Sequence, residues 1–223
     1  MKILHWSHPS AVLGAAILSL FSAAPARAAA VAVGEFAEHG DVGAPAIAGS
    51  TAYDVSTQEY RLGAAGINLW GPSDQFQFAW NKMKGDFIVR ARFAFVGQGT
   101  DLHRKLGWMA RTSLDADSAY ADACVHGDGL TSLQFRRDKA AITEQIEVPL
   151  KGGDVIQFER RGGKYIFSSA HYGEPFVSVE LSDVNLGDEV YVGLFLCSHN
   201  ANVKEEAIFR EVRIIRSAAA NFR

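Results

Sequence analysis

Three stretches of the chain set basic and amide side chains at alternate positions: Arg90 and Arg92 in DFIVRARFAFV, Lys105 and Arg111 in KLGWMARTS, and Gln134 and Arg136 in TSLQFRR. Guanidinium forks bind carboxylate, sulfate or phosphate through paired hydrogen bonds, and a side-chain amide offers a donor and an acceptor to hydroxyls. Gathered on one sheet, Arg90, Arg92, Lys105, Arg111 and Arg136 would surround Gln134 and form a cationic face suited to an acidic glycan. The competing reading is that these side chains are merely solvated, as the outer face of an antiparallel sheet usually is.

Other chemistries find less support. In DACVHGDGLTSLQFRR, His126 lies two residues from Asp128, but Asp-Gly between alternating strands is a hairpin signal and puts both at a turn. With Asp128-Gly129 as a two-residue loop, His126 faces Thr131 and Ala123 faces Gln134. Tyr120, Cys124, Leu133 and Phe135 then share the core face, while Ala121, Ala123, Val125, Ser132, Gln134 and Arg136 share the other. Glycoside cleavage needs two carboxylates about 5 to 9.5 Å apart. Asp115 and Asp117 in SLDADSAY read as a connection between strands, which leaves Asp122, Asp128 and Glu180 as members of an acid pair that no motif marks. The chain has no GxSxG elbow, HExxH or phosphate-binding glycine loop, so no cofactor is expected. Glu38, Asp41 and Asp183 are available to a structural calcium ion, without a recognisable ligand run.

The elements that must hold these residues are strands. Runs rich in Val, Ile, Phe, Tyr and Trp, each bounded by Gly, Asp, Asn or Pro, recur at 75–80, 86–96, 105–113, 118–126, 131–137, 154–160, 164–170, 176–181, 189–198 and 207–215. Gly162-Gly163 between two of them predicts a two-residue hairpin loop. Many strands without crossover helices predict an all-β fold, a two-sheet antiparallel β-sandwich. Within it, Leu106, Trp108 and Ala110 point one way and Lys105, Gly107, Met109 and Arg111 the other. Phe76, Phe78 and Trp80 alternate as core residues, with Gln77 opposite. Trp70, beside Pro72 in GINLWGPSD, either stacks on a ligand or packs a corner.

Residues 1–28 combine Lys2, an apolar run from Ala11 to Ala24 and small residues around Arg27, the pattern of a secretory signal peptide. The run is shorter than the ~20 residues a membrane span needs, so the expectation is export to periplasm or medium, with residues 29–223 as one domain and no membrane span in it. Removing Lys2 and Arg27 leaves 20 basic against 25 acidic residues, a formal charge of −5 in place of −3. That balance argues against a nucleic-acid partner. Cys124 and Cys197 either form a disulfide, which export allows, or stay as two buried thiols.

Four blocks, GINLWGPSDQFQFAWNKMKGDFIVRARF, KLGWMARTSLDADSAYADACVHGDGLTSLQFRR, VIQFERRGGKYIFSSAHYG and YVGLFLCSHN, resemble bacterial concanavalin A-like lectin/glucanase domains of the uncharacterised type sometimes found before TolB-like propellers. They span roughly residues 35 to 216. The resemblance implies a jelly roll with a curved inner face. It matches Lys105, Gly107, Met109 and Arg111 to a K-x-G-x-M-x-R alternation, Ser132, Gln134 and Arg136 to S-x-Q-x-R, and Ser198, His199 and Asn200 to S-H-N. Cys197 departs from it, standing where a small hydroxyl residue is expected. Laminarinase-like members carry an E-x-D-x-x-E run, which is absent here. The expected function is therefore a non-catalytic, lectin-like glycan-binding domain using Arg92, Lys105, Arg111, Gln134, Arg136 and His199; the alternatives are a glycoside hydrolase or polysaccharide lyase of the same fold, or a structural envelope protein whose sandwich edges bind another protein.

Overall fold

The computed structural model describes residues 32–216, so the proposed signal peptide lies outside the described residues. Fourteen strands are described: β1 (Glu38–Val42), β2 (Ser50–Asp54), β3 (Glu59–Gly66), β4 (Phe76–Lys84), β5 (Phe87–Val96), β6 (Lys105–Arg111), β7 (Tyr120–His126), β8 (Thr131–Arg136), β9 (Glu144–Glu147), β10 (Val155–Arg161), β11 (Lys164–Ala170), β12 (Val177–Leu181), β13 (Glu189–Cys197) and β14 (Asn200–Arg216). They form two seven-stranded antiparallel sheets. The first runs β1-β4-β13-β6-β7-β8-β9 and the second β12-β11-β10-β5-β14-β3-β2. The ten expected strands are all present; β1, β2, β3 and β9 were not anticipated. The Gly162-Gly163 loop joins β10 to β11, with Arg161 opposite Lys164 and both glycines at positive φ.

Period-2 alternation turns one face of each sheet inward. Leu106, Trp108 and Ala110 of β6 meet Val89 and Ala91 of β5 and Phe158 of β10 in the core between the sheets. The opposite face of the first sheet carries a second apolar cluster, in which Phe76, Phe78, Trp80, Met109, Tyr120 and Phe195 are buried together with Leu69. Phe78 stacks on Trp80 with ring centroids 5.4 Å apart. Part of this outer face is therefore roofed rather than open.

The roof is the segment from Asn68 to Gln75, whose ends meet through a 3.0 Å hydrogen bond from Gln75 N to Asn68 O. A loop closed on itself in this way packs with its own side chains. Leu69 supplies the apolar plug, and its carbonyl accepts a 2.5 Å hydrogen bond from the Tyr120 hydroxyl.

Two expectations about layers are corrected. Arg90 and Arg92 do alternate away from the core, but β5 belongs to the second sheet, so they lie on the opposite side of the molecule from Lys105 and Gln134. Arg92 pairs there with Asp154 and Glu211 and stacks over Tyr172. The disulfide alternative is also excluded: Cys124 and Cys197 are buried free thiols. Their strands β7 and β13 flank β6, two spacings of about 4.8 Å apart, beyond the ~7 Å Cα separation that a bridge tolerates.

Candidate functional site

The hairpin β7–β8 differs from expectation by one residue, and that residue redraws the site. The loop is Gly127-Asp128-Gly129: His126 N donates to Leu130 O at 2.8 Å, and Gly129 N donates back to His126 O at 3.0 Å. Gly129 takes φ 85°, the left-handed residue that closes a three-residue hairpin. Thr131 therefore faces Val125, and Gln134 faces Asp122. A one-residue slip exchanges the faces of a strand. Tyr120, Asp122, Cys124 and His126 thus join Ser132, Gln134 and Arg136 on the outer face of the first sheet, while Ala121, Ala123 and Val125 enter the core.

Arg111 and Arg136 do reach that face, but they are fully buried under the Asn68–Gln75 loop and do not form an open cationic surface. Arg136 grips the Asp74 carboxylate with both terminal nitrogens, at 2.6 and 3.0 Å, and Arg111 adds a contact of 3.3 Å. Arg136 also donates to the carbonyl oxygens of Gly71 and Ser118, and Arg111 to that of Asp115. Burial pushes the Asp74 carboxyl up from its ordinary range, and both guanidiniums oppose that rise. These arginines fasten the roof.

Beside the roof the sheet opens into a cavity of about 290 Å³. Its floor is Lys105 of β6, His126 of β7, Gln134 of β8 and Gln145 of β9; the registers set Lys105 opposite His126 and Gln134 opposite Gln145. Asn68 and Trp70 stand on the roof side; the Trp70 ring, 38% exposed, lines the cavity. His103 and His199 stand on the other side, with ring centroids 5.5 Å apart. The loop carrying His103 is held by a buried ion pair between Arg104 and Glu205 at 2.9 Å. His199 lies in the β13–β14 turn at φ 58°, with Nδ1 3.2 Å from Asp101.

Lys105 is the chemical centre of this cavity. Its ammonium is buried and donates to Asn68 Oδ1 at 3.1 Å, and among the described residues no carboxylate lies within 4.0 Å of it. Gln134 Nε2 sits 3.3 Å from both His126 Nε2 and Gln145 Oε1. Donation from Gln134 leaves His126 as the Nδ1–H tautomer. Burial, with the Lys105 charge next in size, holds the His126 imidazole down to about 3, so it is neutral. His126 Nδ1 and Gln134 Oε1 have no protein partner.

The acids weighed from the sequence do not converge. Asp122 is buried and has no hydrogen-bond partner for either oxygen; Asp128 caps its own loop through Leu130 N; Glu180 pairs with Lys164 on the second sheet. Asp115 and Asp117 both bind Lys139. Glu38 and Asp41 lie on β1 at one edge of the first sheet, whereas Asp183 pairs with Arg137 beyond β8. Of the expected ligand-binding residues, Lys105, Gln134 and His199 line one cavity. Asn68 and His103, in irregular loops, join them unanticipated, and His126, weighed from the sequence only as a metal or catalytic partner of Asp128, joins them through the longer hairpin loop.

The fold has counterparts among solved structures. The chain is similar to a functionally unknown protein from Saccharomyces cerevisiae, with a TM-score of 0.58, 13% identity, and coverage of 76% of this chain and 93% of that one. It is similar to the carbohydrate binding module CBM66 from Bacillus subtilis, with a TM-score of 0.52, 13% identity, and coverage of 81% and 97%. It also resembles arcelin-5, a lectin-like defense protein from Phaseolus vulgaris, with a TM-score of 0.52, 10% identity, and coverage of 77% and 91%. These likenesses define a lectin-like, concanavalin A-type jelly roll and concern the fold alone. Neither a protein-family model nor a curated protein matches the chain.

Proposed function

We propose that the protein is an exported, non-catalytic carbohydrate-binding domain whose cavity prefers an anionic glycan. The observation that carries this reading is the buried, ion-unpaired ammonium of Lys105 on the cavity floor. Burying a charge without a counter-ion is costly, and an acidic ligand would supply the missing partner. Trp70 offers an aromatic face, and Asn68, Gln145 and the imidazoles offer polar contacts to hydroxyls. Among the described residues no Asp or Glu lines the cavity, which supports binding without hydrolysis, because an acid pair must flank the scissile bond. The signal-peptide pattern of residues 1–28 supports export. The four sequence blocks support kinship with the domains that precede TolB-like propellers.

The test compares the parent and Lys105→Met on a glycan array and by calorimetry. Methionine keeps an unbranched apolar stem and removes the charge. Binding of acidic glycans at least tenfold weaker in the variant is the expected result. Equal binding by the two proteins, or no glycan bound by the parent, overturns the proposal.

A further inference from the structure

The cavity's size and enclosure bear on how a ligand can enter it. About 290 Å³ lies at the lower bound of ligand pockets, roughly 300 Å³, which is space for one sugar ring rather than a bound stretch of polymer. Toward Arg111 and Arg136 the sheet is covered by the loop that Asp74 anchors. Toward β4 it is filled by Phe76, Phe78 and Trp80, all buried. A polysaccharide cannot run across either region. Beside the β7–β8 loop, Leu130 lines both the cavity and a second depression of about 440 Å³.

We propose, resting on the carbohydrate reading, that the cavity is a socket for the single terminal unit of a glycan, a sugar whose carboxylate meets Lys105 while the rest of the chain leaves over Leu130. The polar floor adds a second reason to place a ligand here. His126 and Gln134 both line it, and a sugar hydroxyl, at once donor and acceptor, suits either side chain. A polar floor of this kind is poor design for a core and suits a ligand that completes it.

The experiment is calorimetry on the full chain with free glucuronate, galacturonate and mannuronate, their neutral parent sugars, and the trisaccharide of each acid. At least one free acid binds within about threefold of its trisaccharide, while its neutral parent binds at least tenfold more weakly. Lys105→Met abolishes that preference, with its melting temperature as the check on folding. Trp70→Ala, at the exposed rim, weakens the free acid at least fivefold and keeps the preference for acid over parent. Binding of a trisaccharide without its free acid overturns end-on recognition and leaves the carbohydrate reading standing. A neutral sugar bound as tightly as its acid overturns the carboxylate contact alone. Failure of every acid and every neutral sugar overturns both readings.

Discussion

Two buried titratable side chains on the outer face of the first sheet give the protein opposite sensitivities to pH. Burial pushes the Asp122 carboxyl up to about 8; the Lys105 charge opposes the rise, and the Cys124 thiol and Gln134 backbone oppose it without reaching hydrogen-bond geometry. Between about pH 4 and pH 8 the unfolded chain has therefore lost a proton that the native state keeps. Stability falls as pH rises through that window and levels off above it. His126, held down to about 3, acts in reverse. Below about pH 6.5 the unfolded chain gains a proton that the native state refuses, so stability is lost as pH falls from there to about 3. Asp122→Asn should thus stabilise the protein more at pH 8 than at pH 5, by on the order of 3 kcal/mol, and His126→Gln should flatten the acid limb. Urea denaturation across pH 4 to 9 reads both, and curves parallel to the parent's would refute the assignment.

At the level of strands, the first sheet depends on two glycines that no turn requires. Gly107 of β6 stands between Phe195 and Cys124, and Gly193 of β13 between Trp80 and Met109, so each lies between larger neighbours on the same face. A Cβ added at Gly107 would lie 1.9 Å from Ala123 O, and one at Gly193 1.9 Å from Ala79 O. Backbone oxygens in a central ladder cannot move aside. Gly107→Ala and Gly193→Ala should each destabilise by on the order of 3 kcal/mol, whereas Gly71→Ala, with open space around it, should stay within about 0.5 kcal/mol. Urea midpoints that rank the three otherwise would show that the sheet can relax. The same strands mark how far the sequence could be read. Alternation identified β6 and β8 correctly because one face of each is apolar, and so it found Lys105 and Gln134. It missed β1, β2 and β9, which are short edge strands with polar sequences, and also the interior strand β3, whose EYRLGAAG carries few large apolar side chains. It inverted β7 because Gly127-Asp128-Gly129 holds two overlapping turn signals, and choosing the shorter loop moved every side chain to the wrong face. Arg111 and Arg136 were legible as outward-facing. Their burial was not, since Asp74 reaches them from a loop distant in sequence.

Across the whole molecule, a buried cation inside an acidic protein sets an unusual dependence on salt. The chain carries 22 basic against 25 acidic residues, a net charge of −3, and Arg90 and Arg92 lie on the far sheet, where they cannot assist an anion at the cavity. An acidic glycan approaching from solvent therefore meets net repulsion, which reaches about 30 Å at 0.01 M salt and about 8 Å at 0.15 M. The attraction is confined to Lys105, which is buried and little affected by screening. Added salt should then remove more repulsion than attraction. Between about 10 and 150 mM sodium chloride, affinity for the acid trisaccharide should hold steady or rise, and affinity for the free acid should change less than twofold. A binder built on exposed arginines behaves oppositely, because its attraction is the part that salt screens. Calorimetric titrations at both salt concentrations separate the two designs, and a tenfold loss at the higher one would mean that the glycan is held by surface charge outside the cavity.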